Sequence, residues 1–244
     1  MIGYWMRLRR LARDRGDAGF TLAELLCVMV ALGVLTTAVA FLFVTDLKVT
    51  GQNKARLDQQ NSGRLAMDSI SRVLRTAVTP KSLASCGDSC GAAAAFMSGD
   101  AFKVSFYADI NNDGGTVGPS EVTLSVDDDG VLRQTVRPAD PGSAAVGFTW
   151  DCTLGTAGCT MRTTVLASGV QKNVGNLFTY YAYGSDTPIT GTLNATQLAD
   201  VDAIDISLTT RAADGAEVMP TTFIGRVSLP NVDTVVEASL AAGG

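Results

Sequence analysis

The 244-residue chain contains no histidine. That excludes Ser-His-Asp and Cys-His nucleophilic catalysis and removes the commonest transition-metal ligand. Carboxylates or a Ser–Lys pair could carry chemistry only at a convergent spacing, and no stretch offers one. The chain therefore reads as something other than an enzyme. Basic residues are outnumbered, with 19 Lys and Arg against 24 Asp and Glu, a net charge of −5 and a sequence pI of about 4.7. A nucleic-acid surface needs the opposite balance, so nucleic acid is not an expected partner. Proline is sparse at 7 residues, and none falls between Asp46 and Val78. What is abundant is apolar sequence, 46% of the chain, enough to bury one or two cores.

Five cysteines are present. Cys27 sits inside an apolar run and reads as a small hydrophobe. Cys86 with Cys90, and Cys152 with Cys159, form two close pairs in polar, Gly-rich sequence. Neither pair has the C-x-x-C spacing of a zinc or redox site, and no histidine can complete one. The expectation is two local disulfides formed outside the cytoplasm, with cross-pairing between the two as the alternative.

The N-terminus bears on the compartment. Residues 1–19 hold Arg7, Arg9, Arg10, Arg13 and Arg15 against Asp14 and Asp17, and from Leu25 to Val44 there follow 20 residues without a charge. About 20 residues at 1.5 Å each span the roughly 30 Å bilayer core as a helix. The basic flank holds its own end in the cytoplasm and sends the rest outside the inner membrane. A secretory signal would place its small cleavage residue after the apolar run. Here Gly19 comes before it, at the junction Gly19-Phe20-Thr21-Leu22-Ala23-Glu24-Leu25-Leu26.

That junction resembles the prepilin family, the type IV pilins and the pseudopilins of type II secretion, whose pattern is Gly-Phe-Thr-Leu-x-Glu-Leu-Leu leading into an apolar helix. Only Ala23 departs, where a larger aliphatic is usual. The resemblance implies a class III-type signal. A prepilin peptidase would cut between Gly19 and Phe20 and methylate the new Phe20 amine. The subunit would then join other pilin or pseudopilin subunits through an inner-membrane assembly platform. It also implies a role for Glu24. A carboxylate beside the hydrocarbon core costs about 3 kcal/mol, and such residues are usually paired. The family partner is the cationic Phe20 amine of a neighbouring subunit; the plainer reading is an interfacial charge that snorkels. Major pilins often carry a proline two turns after a glycine such as Gly33, where this chain has Phe41, which favours a minor subunit or a pseudopilin. Removing the leader takes away five positive and two negative charges and leaves the mature chain at −8.

Beyond the membrane segment, Met67, Ile70, Leu74 and Ala77 recur at helical spacing, opposite Arg64, Asp68, Arg72 and Arg75. One helix is expected from about Phe20 to Val78, roughly 85–90 Å long at 1.5 Å per residue, with Pro80 as the stop. Gly51 and Gly63 lower helix propensity within it. After Pro80 the period changes to two. Phe102, Val104 and Phe106 alternate with polar residues, as do Val122, Leu124 and Val126. Asp127-Asp128-Asp129-Gly130 separates the latter from Leu132, Gln134 and Val136, a hairpin signal. Further strands are expected at 177–183, 204–208 and 222–229. The expected fold is α+β: a long N-terminal helix, transmembrane then amphipathic, packed on an antiparallel β-sheet head, as in the pilin fold. The divisions are leader 1–19, transmembrane or filament-core helix 20–45, amphipathic half 46–79 and β-rich head 80–244. Arg64 to Ala77, and Arg226-Val227-Ser228-Leu229-Pro230-Asn231, are similar to J-type pseudopilins and W-type minor pilins.

Two head features invite other readings. Asp109, Asn111 and Asp113, followed by Gly114, match the first half of an EF-hand loop, which would make them calcium ligands. The twelfth position is Ser120, however, and a turn between two strands explains the same residues. Tyr180, Tyr181 and Tyr183 fit either a half-buried sheet or an adhesive aromatic patch. The rivals to a filament subunit of a type IV pilus are thus a type II secretion pseudopilin and a membrane-tethered, calcium-dependent adhesion module.

Overall fold

The computed structural model describes residues 21–83, 92–110, 118–141, 143–151, 160–212, 218–230 and 232. The chain forms two compact units, Met1–Gly51 and Gln52–Gly244. Helix α1 (Leu22–Leu74) begins in the first and ends in the second.

In the first unit Thr21 starts the helix. Its carbonyl accepts the Glu24 and Leu25 N–H groups at 3.0 and 3.2 Å, and its hydroxyl accepts the Glu24 N–H at 3.3 Å. That is an N-cap satisfying donors that have no intrahelical partner. All residues from 21 to 51 are exposed in the isolated chain. The few hydroxyls in this apolar run turn back onto the helix. Thr36 donates to the carbonyls of Leu32 and Gly33, Thr37 to Gly33 at 2.7 Å and Thr45 to Phe41 at 2.9 Å. Such bonds hide polar groups from an apolar surrounding. The helix runs unbroken through Gly33.

In the second unit α1 buries Gln59, Gly63, Ala66, Ile70 and Leu74, a stripe at +4, +3, +4 and +4. The buried line thus extends further toward the N-terminus than the 67–77 pattern suggested, and Met67 lies half-buried at its margin. Gly63 is a packing site: a Cβ there would run into the ring of Phe223. The opposite face is as expected, with Arg64, Asp68, Arg72 and Arg75 all exposed.

The helix stops at Leu74, short of the expected Val78. Strand-like pairing captures the following backbone: Ala77 bridges Ala108, and the Val78 N–H donates to the Tyr107 carbonyl at 2.9 Å. Pro80 then opens the short α2 (Pro80–Leu83), where its missing N–H costs nothing.

The head is built from two antiparallel sheets. The first has the order β1 (Phe96–Gly99), β2 (Lys103–Ala108), β3 (Ser120–Val126), β4 (Leu132–Arg137), β5 (Arg162–Ala167). The second has the order β7 (Pro188–Ile189), β6 (Phe178–Ala182), β8 (Val201–Thr210), β9 (Thr221–Ser228). A 3-10 turn (Ser143–Val146) and α3 (Ala195–Ala199), the latter opened by an Asn194–Gln197 capping box, complete the described elements.

The expected hairpin is present in the expected register, with Val122 opposite Val136 and Val126 opposite Leu132. Its turn is held by Asp127, whose carboxylate accepts the Val131 N–H at 2.8 Å, while Gly130 supplies φ of 72°. Period-two alternation sends Val104, Phe106, Val122 and Leu124 inward from the first sheet, and Phe178, Tyr180, Ile204, Ile206 and Leu208 inward from the second. All join Ala66, Ile70 and Leu74 in one cluster. The outer faces are polar: Ser105 bonds Thr123, Thr135 bonds Thr163 and Thr209 bonds Thr222. The fold class is therefore α+β, a long N-terminal helix packed on antiparallel sheet, consistent with the pilin fold.

Candidate functional site

The residues singled out at the N-terminus fall at the start of α1. Gly19 and Phe20 lie outside the described residues. Glu24 is the third residue of the helix, the N3 position of a Thr21-x-x-Glu24 capping signature. A negative charge in the first turn also complements the positive end of the helix dipole, by about 0.3–1 kcal/mol at an exposed site. The local role of Glu24 was readable in the sequence, since Ser/Thr followed three residues later by Glu before an apolar run is a helix-start signal.

Past Glu24 the helix presents apolar side chains all the way round. Leu22 is 79% exposed and Phe41 73%, with Leu26, Met29, Val34 and Leu42 also above half. A helix apolar on every side belongs in lipid or among other apolar helices. α1 is the helix among the described residues that is long and apolar enough to cross a membrane. Cys27 is a free, exposed cysteine within this run, consistent with its reading as a small hydrophobe.

The head candidates do not converge on one place. Cys86, Cys90, Cys152 and Cys159 lie outside the described residues, as do Asn111 and Asp113. Asp109 follows β2, and its N–H donates to the Thr76 carbonyl at 2.9 Å, an anchor for the chain leaving the sheet. No group of three His, Cys, Asp or Glu side chains suited to a metal ion occurs among the described residues.

The tyrosines separate by role. Tyr180 is a core residue, 2% exposed, whose hydroxyl donates to the Asp100 carbonyl at 2.9 Å; burial pushes its phenol up in pKa. Tyr181 lies on the outer face under the Arg226 guanidinium, 4.4 Å from ring centre to Cζ. Arg226 in turn grips Asp205 through two bonds of 2.6 and 3.0 Å, which hold the carboxyl below its ordinary range. Only Tyr183, 54% exposed, projects freely. Two arginines of the first sheet are neutralised by acidic neighbours: Arg133 pairs with Asp127 at 3.1 Å and Arg137 with Glu121 at 3.1 Å.

The first sheet carries an aromatic group that sequence reading missed. Trp150 packs 4.5 Å from Tyr107 and 6.4 Å from Phe148, donates its indole N–H to the Pro119 carbonyl and receives Arg137 on its own carbonyl. Phe148, at φ of 70°, lies against the site where a Gly118 Cβ would be. Tyr107 lies on β2, and Phe148 and Trp150 lie in a segment some forty residues further on that belongs to no strand, so no periodicity links them. Together they pin a loop to the outer face of the sheet.

The one chemically distinctive segment is thus the capped, apolar helix start. Residues 14–40 match the family described as the prokaryotic N-terminal methylation motif. This is the class III signal of type IV pilins and pseudopilins, and it supports a pilin- or pseudopilin-like structural protein. Such a signal implies processing by a prepilin peptidase and assembly with other pilin subunits, and with the apolar helix it is consistent with inner-membrane anchoring. Beyond this motif, no curated protein and no solved structure matches the chain.

Proposed function

We propose that the protein is a minor subunit of a type IV pilus-like filament, made as a membrane-anchored prepilin and cleaved between Gly19 and Phe20. The observation that carries this reading is the methylation motif at residues 14–40 running directly into a helix apolar on every side. In the precursor that helix is covered by lipid; in the filament it is covered by neighbouring helices. The new Phe20 amine becomes N-methylated. It meets the Glu24 carboxylate of an adjacent subunit, a pairing that gains strength where water is excluded. The basic leader faces the cytoplasm and the 80–244 head faces the periplasm or the cell surface.

The test is mass spectrometry of the protein recovered from cells with the prepilin peptidase present or deleted. A chain beginning at N-methylated Phe20 only when the peptidase is present supports the reading. Residues 1–19 retained in both strains would reduce the N-terminus to a plain anchor. A chain that is processed but found in sheared secretion-system fibres, and not in pili, would assign it to type II secretion instead.

A further inference from the structure

Among the described residues the two sheets of the head end in four edge strands, and three of them carry features that discourage pairing with another chain. β1 is four residues long with a register shift, and β7 is two residues long and begins with Pro188. β5 opens on the exposed Arg162 and meets β4 through a register shift. β9 has none of these devices. Its eight residues pair with β8 in unbroken register, without proline or lysine, and its one charge, Arg226, is held by Asp205. The Leu229 N–H donates to the Asp202 carbonyl at 2.9 Å. Because antiparallel pairing alternates, β9 then turns the backbone groups of Phe223, Gly225 and Val227 toward β8. Those of Thr222, Ile224, Arg226 and Ser228 point away. All four residues are exposed, Ile224 at 79%, and no backbone partner for them occurs among the described residues.

The end of the chain supplies a strand that fits this edge. Just past β9 the Val232 N–H donates to the Leu229 carbonyl at 3.5 Å, a reversal with Pro230 at its second position, and residues 233–244 follow in the sequence. The Val232 side chain is buried in the core cluster. Period-two alternation from that point assigns Val236, Ala238 and Leu240 to the core side, and Asp233, Glu237 and Ser239 to the outer side. That is the pattern of a half-buried strand. We propose that residues 233–240 return antiparallel along the free edge of β9 as a strap, with Asp233 opposite Ser228, Val235 opposite Arg226 and Glu237 opposite Ile224. The two acids then stand diagonally on either side of Arg226, opposite charges within cross-strand reach. The strap denies the open edge of β9 to strands of other chains. It is independent of the filament role, since it lies wholly within the head unit.

Amide hydrogen exchange, read residue by residue in nuclear magnetic resonance spectra of the full chain in detergent micelles, tests this against a chain ended after Val232. The N–H groups of Thr222, Ile224, Arg226 and Ser228 should exchange about tenfold or more slowly in the full chain than in the shortened one. Those of Phe223, Gly225 and Val227, bonded to β8, should exchange alike in both. Glu237→Pro removes a donor that faces β9 and leaves the β8 ladder intact. It should melt close to the parent and still speed exchange at Ile224 and Arg226. Equal exchange at the four edge amides in the full and shortened chains would overturn the proposal. Equal acceleration at Phe223, Gly225 and Val227 would do so too, by making the segment a general support of the fold. Protection that disappears on dilution would place a second copy on the edge instead and overturn it as well.

Discussion

At the residue scale, Glu24 and Gly63 each answer to two opposing demands. Glu24 stands in the first turn of a helix that would be anchored in the membrane, where its charge suits the helix dipole, and the proposed filament asks it to neutralise a cation as well. Gln at N3 serves the capping geometry but carries no charge. Glu24→Gln should therefore leave the helix content of the full chain in detergent unchanged by circular dichroism, and leave cleavage after Gly19 intact. Recovery of the subunit in sheared filaments should fall about tenfold or more, the scale of one lost charge pair in a low-dielectric setting. Normal recovery would reduce Glu24 to a charge that suits the first turn of the helix. At Gly63, helix propensity alone says alanine should stabilise by about 1 kcal/mol. The Phe223 ring occupies the space the new Cβ needs, and overpacking costs about 1–3 kcal/mol. Gly63→Ala is expected to lower stability by roughly 1 kcal/mol in chemical denaturation, with Phe223→Leu restoring it in the double variant. A stabilised single variant would show that the ring simply turns aside.

Among the secondary-structure elements, what could be read from sequence is what obeys a period. The β3–β4 hairpin was legible because Val122, Leu124 and Val126 alternate up to an Asp-Gly turn, and β2, β6, β8 and β9 follow the same rule. β5 was not, because the exposed stretch Arg162–Ala167 buries only its last residue and so shows no alternation. β1 was too short to show one. The sorting of the strands into two sheets is invisible locally: it depends on β6 pairing with β8 across the 18 residues between Ala182 and Val201. The end of α1 was misplaced for a related reason, since Ala77 continues the helical apolar pattern but finds a strand partner in Ala108. The methylation signal, by contrast, is contiguous and was readable in full, whereas the Tyr107–Phe148–Trp150 group and the Gln59–Thr210 bond are assembled by tertiary contact alone. The buried stripe of α1 makes a direct prediction. Ile70, fully buried among residues of both sheets, should cost about 2–5 kcal/mol as Ile70→Ala. Leu65→Ala, at a position 71% exposed, should change stability by no more than about 0.5 kcal/mol. Equal effects at the two positions would mean the head does not pack on this face.

At the scale of the whole molecule, the division into Met1–Gly51 and Gln52–Gly244 separates two kinds of stability. The first unit exposes its apolar surface and depends on lipid or neighbouring helices. The second contains its own buried cluster, so a fragment beginning at Gln52 should be soluble without detergent and melt cooperatively; an unfolded fragment would show that the core needs the apolar helix. The same fragment isolates the acid sensitivity of the head. Asp127 is held below its ordinary pKa by the Val131 N–H, with Arg133 adding to the effect. Asp140 is held down by the Thr149 hydroxyl and the Asp151 N–H, and Asp205 by Arg226. A carboxyl whose folded pKa lies below its unfolded value of about 3.9 contributes stability that is fully present above that value. The contribution disappears as pH falls through the lowered folded value. All three groups are largely hydrated, which keeps each contribution small. The melting temperature should therefore stay nearly level from neutral pH to about 5 and decline below about 4. Asp140→Asn should melt below the parent at neutral pH, with the gap narrowing on acidification because the parent then loses the same charge. A gap that is constant from neutral to strongly acidic solution would mean that the bonds to Thr149 and Asp151 act without regard to the charge on Asp140.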